Sequence, residues 1–192
     1  MAEEQVLQEA YSLIAQLWCS PAEAERLEIK AEAEAVVAKL AEIDAESAGL
    51  LSQFLDQDAI LEEDYVDLFE LDPQCPLYLG SHSYDEPKTC AGAAVSDRND
   101  YMIELVGIYN HFGRKAKATE LPDYLPLMVD FLALTTESRD DPVREKLIEE
   151  YFLPFLPPMR AKLGELNTPY VNLLDALEKV IGIERKVESH VG

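Results

Sequence analysis

The sequence predicts an all-α protein, a single domain in which about seven or eight helices form a bundle. Two observations support this prediction. Apolar residues recur at the three- and four-residue spacing of an amphipathic helix through most of the 192 residues, and no segment alternates apolar and polar side chains as a half-buried strand does. In addition, a capping residue followed by proline recurs where new helices are expected to begin.

Four helices are predicted in the N-terminal part of the chain. Their ranges are 4–18, about 20–45, 46–55 and about 58–71. The second helix has the clearest start, because Ser20 is the expected N-cap, Pro21 suits the first helical position and Glu23 completes a capping box. It is rich in Ala, Glu, Lys and Leu, which are good helix formers.

The C-terminal part of the chain carries equally clear helix signals. A helix capped by Ser96 is expected to end at Gly113, a residue that readily adopts the left-handed stop conformation. The next helix is predicted to begin near Pro122 or Asp123, since proline is tolerated only in a first turn. Asp141-Pro142 and Thr168-Pro169 begin two more, and Pro154, Pro157 and Pro158 break the first of these near its end, before a short segment to Leu166. Residues 1–186 are thus predicted to form one domain, with a frayed tail at 187–192.

The most unusual stretch is the loop that follows the fourth helix, here called the aromatic loop (residues 72–87). Asp72-Pro73 ends the helix, because the residue before a proline is disfavoured in the α region. The loop then carries Pro76, Tyr78 and Tyr84, whereas surface loops are mostly built of small polar residues. Large rings here are expected either to pack on the core or to contact a ligand.

Composition and charge restrict the class of protein. Hydrophobic residues make up 48% of the chain and charged residues 28%, which is ordinary for a globular protein. The 38 acidic and 16 basic side chains give a formal net charge of −22. Such a charge repels nucleic acids and anionic membrane surfaces and favours basic partners. A nucleic-acid partner is therefore not expected.

Cysteine usage and the N-terminus indicate a protein of the reducing cytoplasm. Cys19, Cys75 and Cys90 show neither a disulfide framework nor the spacing of a zinc site. The N-terminal residues lack the basic and apolar regions of a signal peptide, and no apolar run is long enough to insert into a membrane. The sequence also lacks the motifs of hydrolases, zinc proteases, di-iron bundles and phosphate-binding loops. No enzyme activity, metal or cofactor is therefore expected.

Two stretches resemble the signature regions of the TorD/NarJ family, the cytoplasmic chaperones that mature molybdoenzymes. The first signature region is DYVDLFELDPQCPLYLGSHSYDEP (residues 64–87), and the second is ELPDYLPLMVDFLALT (residues 120–135). The matching positions are Tyr65, Leu68, Phe69, Pro76, Tyr78, Ser81, Glu120, Pro122, Asp123 and Leu125. The opening LPDYLPL is most similar to the nitrate reductase delta-subunit branch, and Tyr124 stands where the family usually has histidine.

The resemblance implies a binding protein with the family's all-helical fold, which agrees with the all-α fold predicted above. Its partner would be the catalytic molybdenum subunit of an oxidoreductase, held through its N-terminal region or twin-arginine signal peptide until its cofactors are inserted. The chaperone itself would be a monomer or a weak homodimer. A peptide of this kind has a basic end and an apolar helical run, which suit carboxylates at the mouth of an apolar groove.

The candidate site combines this implication with the chemistry of the residues. The predicted peptide-binding residues are Pro76, Tyr78, Ser81, Tyr84, Glu120, Asp123 and Tyr124. Tyr65, Phe69, Pro122 and Leu125 are predicted to support them structurally. For Asp123 the alternative is that it acts as the N-cap of its helix, alone or in addition to binding.

Two other functions are compatible with the sequence. One is a helical protein that binds a small molecule or cofactor, or a weak hydrolase, with a pocket between helices. The other is a structural subunit that stays in the mature enzyme complex. An elongated, open site would favour the chaperone over the first, and absence from the purified enzyme would favour it over the second.

Overall fold

Helices dominate the architecture. The computed structural model of the protein describes residues 2–20, 26–56, 62–84, 96–115 and 119–188. Within these ranges it contains eight α-helices of eight or more residues and no β-strand, which confirms the predicted all-α fold. None of the described helices combines the length and the apolar character required to cross a bilayer.

The described helices are numbered in chain order. They are α1 (Ala2–Leu17), α2 (Arg26–Ile43), α3 (Ala45–Leu55), α4 (Glu62–Phe69), α5 (Asp97–His111), α6 (Leu125–Leu134), α7 (Pro142–Lys146), α8 (Leu156–Glu165) and α9 (Tyr170–Glu188). Single 3-10 turns cover Leu79–His82, Thr136–Ser138 and Leu153–Phe155, and a π-helical turn, Leu147–Phe152, continues α7.

Helix α1 lies at the centre of the bundle. It packs against α2, α6 and α9, and α9 in turn packs against α3 and α8. The apolar stripe of α1 is correspondingly buried, including Leu7, Tyr11 and Ile14, and so is Trp18, the residue that follows the helix. Because burial of a large apolar side chain contributes about 1.5–3 kcal/mol, this stripe is a major source of stability.

Local capping signals determine several helix ends as predicted. The Ser96 hydroxyl accepts a hydrogen bond from the Asn99 N–H (3.2 Å), and the Asp141 carboxylate accepts one from the Val143 N–H (2.8 Å). Gly113 has a φ of 66°, the left-handed conformation that ends α5. The predicted Ser20–Glu23 capping box lies largely outside the described residues.

Other helix ends differ from the sequence-based prediction. The second helix ends at Ile43 and not near Ala45, because Asp44 caps α3 by accepting a hydrogen bond from the Ser47 N–H (2.7 Å). The prolines near residue 155 do not leave a break, since the chain passes through π and 3-10 turns directly into α8, whose first turn accommodates Pro157. Helix α9 includes residues 187 and 188, and the rest of the predicted tail lies outside the described residues.

A buried ion pair ties four helices together. The guanidinium of Arg144 on α7 binds both carboxylate oxygens of Glu184 on α9. It also donates to the Thr135 hydroxyl and to the Leu132 carbonyl at the end of α6, each at 3.0 Å. Tyr11 on α1 donates to Glu184 Oε2 at 2.6 Å. Burial, together with the adjacent Glu184 carboxylate, holds the pKa of Tyr11 well above its ordinary value, so the phenol remains a donor.

Candidate functional site

The two signature regions meet in space through a short backbone bridge. The Leu79 N–H donates to the Asp123 carbonyl (3.0 Å), and the Leu125 N–H donates to the Leu77 carbonyl (2.8 Å). Tyr78 and Tyr124 therefore face each other as a non-hydrogen-bonded antiparallel pair, in which the backbone hydrogen bonds are made by the neighbouring residues. In such pairs the Cα atoms approach to about 4.5 Å, closer than in hydrogen-bonded pairs, so the side chains are brought into contact.

The buried side chain of Asp123 holds the aromatic loop in place through a hydrogen bond. Its side chain is 0% exposed, and Oδ2 accepts a hydrogen bond from the Gly80 N–H (3.0 Å). The other oxygen, Oδ1, has no hydrogen-bond partner among the described residues. Burial raises the pKa of this carboxyl, while the Gly80 N–H and the Arg98 guanidinium act in the opposite direction. Asp123 thus holds the loop and does not present its charge at the surface.

The N-terminus of α6 differs from the prediction for the same reason. The helix begins at Leu125 and not near Pro122 or Asp123, and its N-cap is Tyr124, whose side chain makes no capping bond. The backbone and side chain of Asp123 are both engaged with the aromatic loop, so this residue cannot enter or cap the helix. Pro126, not Pro122, occupies the first turn.

The surface of the site is an aromatic pair beside a carboxylate, here called the tyrosine–glutamate cluster (Tyr78, Glu120 and Tyr124). The rings of Tyr78 and Tyr124 lie 5.4 Å apart, centre to centre, at 41°. The Tyr78 hydroxyl donates to Glu120 Oε2 at 3.0 Å. Burial, followed by this hydrogen bond, raises the pKa of Tyr78 to about 12. All three side chains are half-buried, so each is fixed and still accessible.

The far end of the aromatic loop is attached to a different part of the bundle. Ser81 accepts a hydrogen bond from Arg98 on α5 (3.0 Å). The Tyr84 ring packs against Tyr101 and Phe155, with 5.7 Å between centroids in each case. Pro76 contributes its carbonyl, which lies 2.7 Å from His82 Nε2 and closes the loop on itself.

The structure therefore divides the predicted site residues into three groups. Tyr78, Glu120 and Tyr124 form the accessible cluster, with Asp123 beneath them. Pro76, Ser81 and Tyr84 lie elsewhere in the loop: the Pro76 carbonyl contacts His82, and Ser81 and Tyr84 lie at the far end, against α5 and Phe155. Of the supporting residues, Tyr65, Phe69 and Leu125 are core residues, and Pro122 is held by its carbonyl, which accepts a hydrogen bond from the Tyr109 hydroxyl (2.6 Å).

Sequence reasoning missed Gly80, which the geometry requires. A Cβ atom at this position would lie 2.9 Å from Asp123 Oδ2 and 3.3 Å from Tyr101 Cε1. A single glycine inside an aromatic loop is a recognisable signal for such a close backbone approach. Among the described residues, no group of three or more His, Cys, Asp or Glu side chains is arranged to hold a metal ion.

The loop closure by His82 predicts a pH dependence of stability. Burial lowers the pKa of the His82 imidazole, although its contact with the Pro76 carbonyl acts in the opposite direction. A folded-state pKa below the ordinary value means that the unfolded chain binds the proton more readily. Stability is therefore expected to fall as the pH decreases through about 6.5, and to be unaffected by this group above it.

Thermal unfolding followed between about pH 7.5 and about pH 5.5 measures this effect. In the variant His82→Gln, which retains a donor but does not titrate, the decline in melting temperature should be smaller. An identical pH profile for the two proteins would contradict a role for His82 in the decline.

Comparisons with known proteins identify relatives of this sequence. The family model described as nitrate reductase delta subunit matches residues 28–161, a range that includes both signature regions. The chain is 27% identical over 121 residues to the probable nitrate reductase molybdenum cofactor assembly chaperone NarW of Escherichia coli K12. The aligned residues make up 63% of this chain and 47% of that protein. The chain is 29% identical over 116 residues to the nitrate reductase molybdenum cofactor assembly chaperone NarJ of the same strain, covering 60% and 44% respectively.

These matches show to which protein family the chain is related. The matched segments span slightly less than half the length of each curated relative. Both relatives are named as assembly chaperones and not as catalytic enzymes, which agrees with the prediction of a binding protein. The family match covers most of the described helices and both halves of the bridge between the signature regions. The chain therefore belongs to the nitrate reductase delta subunit family, within the TorD/NarJ group that its signature regions resemble.

Proposed function

We propose that this protein is a system-specific assembly chaperone that binds the N-terminal region of a molybdoenzyme catalytic subunit in the cytoplasm. The observation that carries the proposal is the tyrosine–glutamate cluster, in which both signature regions contribute to one accessible surface. The names of the relatives support the assembly role. We infer further that the bound segment is basic, as a twin-arginine signal peptide is.

The cluster offers complementary chemistry to a basic side chain. The Tyr78 hydroxyl donates a hydrogen bond to Glu120 Oε2, and this bond orients the carboxylate. The other oxygen, Oε1, has no hydrogen-bond partner among the described residues. A guanidinium can pair with such a carboxylate and also lie over an aromatic ring, which contributes about 0.5–2 kcal/mol in addition. The net charge of −22 accelerates the approach of a cationic segment over longer distances.

Binding of this kind can hold a client and still release it. A micromolar affinity corresponds to about −8 kcal/mol, which a few ordered contacts supply. Because the contacts are half-exposed, their electrostatic part is screened at physiological salt. The chaperone would keep the client's N-terminus from export or misassembly, and would dissociate when the matured enzyme competes for the same segment.

Glu120→Gln tests the proposal, since it removes the charge and keeps the shape. A synthetic peptide of the N-terminal region of the molybdoenzyme catalytic subunit from the same organism is titrated calorimetrically into the chaperone. We expect the affinity to fall about three- to tenfold, and by more at low salt than at high salt. Glu137→Gln is the control, because Glu137 is exposed and lies at the opposite end of α6.

The possible results separate the parts of the proposal. Equal affinities for the wild type and Glu120→Gln would contradict the acidic contact. Failure of the wild-type protein to bind the peptide at any salt concentration would contradict the proposed function itself. Recovery of the protein as a stoichiometric component of the purified mature enzyme would favour a structural subunit.

A further inference from the structure

Leu121 is a large apolar side chain in an unusual setting. It lies between Glu120 and Pro122, is 48% exposed, and is the neighbour in sequence of Glu120, a member of the tyrosine–glutamate cluster. Single exposed leucines are common on protein surfaces and need no explanation on their own. What distinguishes Leu121 is the rigidity of its backbone and the chemistry of its neighbours.

The backbone on both sides of Leu121 is fixed by separate contacts. Its carbonyl accepts a hydrogen bond from the Tyr124 N–H (3.1 Å), and the Pro122 carbonyl accepts one from the Tyr109 hydroxyl (2.6 Å). Pro122 also restricts the conformation of the residue before it to the extended region. Glu120 is held through its carboxylate by Tyr78. The side chain of Leu121 is thus exposed on a segment whose backbone is restrained on both sides.

The other large apolar residues that are exposed in the described part of the chain have different surroundings. Ile103 and Val106 lie on α5, Leu71 follows α4, and Leu134 ends α6. Leu134 is 46% exposed, almost the same as Leu121, but lies at the opposite end of α6 from the cluster. It therefore provides a matched comparison for the effect of position.

We propose that Leu121 is a client-binding residue that contacts an apolar side chain next to the basic residue bound by Glu120. This inference rests on the proposed function and specifies the client segment: a basic residue with an apolar residue beside it in the sequence. Tyr65, Phe69 and Leu125, which were predicted as structural support, are buried in the core and cannot line an apolar groove. Leu121 supplies an accessible apolar contact in their place.

Charge complementarity identifies the occupant. Two copies of this chain, each with a formal charge of −22, repel each other, so a self-contact through Leu121 is disfavoured. A segment with a basic residue is attracted by the same field and brings its apolar neighbour within reach of Leu121. The fixed backbone reduces the conformational entropy that binding would otherwise consume.

A double-mutant cycle with the client peptide tests the contact. The two changes are Leu121→Ser in the chaperone and replacement by serine of the apolar residue beside the basic residue in the synthetic N-terminal peptide. Each change alone is expected to weaken binding about five- to tenfold, because each removes the same buried apolar contact. The two changes together should weaken binding little more than either alone.

Leu134→Ser is the control for exposure, and it should leave peptide affinity unchanged. Circular dichroism and the melting temperature verify that both serine variants are folded. Fully additive effects in the cycle, or unchanged affinity in Leu121→Ser, would overturn the inference while leaving the proposed function intact. A change in sedimentation without a change in affinity would assign Leu121 to a self-contact and would equally overturn it. Absence of wild-type binding would refute the proposed function, and with it this inference.

Discussion

Replacing Glu184 with alanine is expected to lower the free energy of unfolding by about 3–5 kcal/mol, a large share of the stability of a typical domain. The substitution leaves the fully buried guanidinium of Arg144 without its anionic partner. It also removes the acceptor of the Tyr11 hydroxyl. Both groups were desolvated on folding, and neither can recover its water shell while the bundle stays closed.

Denaturant unfolding measures this effect, and a partly exposed ion pair, in which the Asp175 side chain is 21% exposed, provides the control. Arg160 and Asp175 form a bidentate pair of the same chemistry, with 2.5 and 2.8 Å contacts, but the Arg160 side chain is 50% exposed. Asp175→Ala should therefore change the unfolding free energy by less than about 1 kcal/mol. Comparable losses in the two variants would show that burial is not what makes the Arg144–Glu184 pair important.

Tyr11→Phe separates the two parts of the network. It removes one hydrogen bond to Glu184 and leaves the ion pair in place, so a loss of about 1–2 kcal/mol is expected. A loss as large as that of Glu184→Ala would mean that the phenol, and not the carboxylate, is the main partner in this network.

Gly80→Ala is the second substitution with a large expected effect, in this case on both stability and client binding. The added Cβ would lie 2.9 Å from Asp123 Oδ2, so the Gly80 N–H bond to that oxygen must lengthen or the loop must move. Overpacking of this kind costs about 1–3 kcal/mol. Because Gly80 is two residues from Tyr78, the shift should also displace the tyrosine–glutamate cluster and weaken binding of the N-terminal peptide.

The control for this substitution is Gly49→Ala in α3. Apart from its chain neighbours and the backbone of its own helix, no atom lies within 4 Å of a Cβ built at Gly49, and alanine is the better helix former. Stability should therefore be unchanged or higher by up to about 1 kcal/mol, with peptide affinity unaffected. Denaturant unfolding and calorimetric titration measure the two quantities. If Gly80→Ala is as stable as the wild type and binds equally well, the loop tolerates a shift at this point.

Local sequence signals predicted much of the fold because they act within a few residues. Ser96 and Asp141 each cap a helix through a neighbour two or three residues away, and Gly113 ends α5 through its own backbone conformation. Both partners of each of these interactions lie within a few residues of each other, so a short stretch of sequence is enough to predict them. The start of α6 was predicted wrongly because Asp123 is bound to Gly80, 43 residues earlier in the chain.

The candidate site shows the same distinction. The sequence indicated that Tyr78, Glu120 and Tyr124 belong to one site, since the resemblance to the family contains both signature regions. It did not indicate that Asp123 is buried, that Tyr84 packs against α5 or that Gly80 has no room for a side chain. Each of these facts depends on a contact between segments far apart in the chain, which periodicity and capping rules do not describe.

The backbone bridge between Leu77–Leu79 and Asp123–Leu125 has a thermodynamic consequence for binding. Two backbone hydrogen bonds form it, and the Gly80–Asp123 and Tyr78–Glu120 hydrogen bonds hold the same two segments together beside it. A ligand that contacts Tyr78 and Tyr124 together binds only when the bridge is closed, and by mass action it shifts the population toward that closed state. Because these hydrogen bonds already hold the bridge closed, such a ligand would lose little conformational entropy on binding, and its binding would add to the stability of the folded chain.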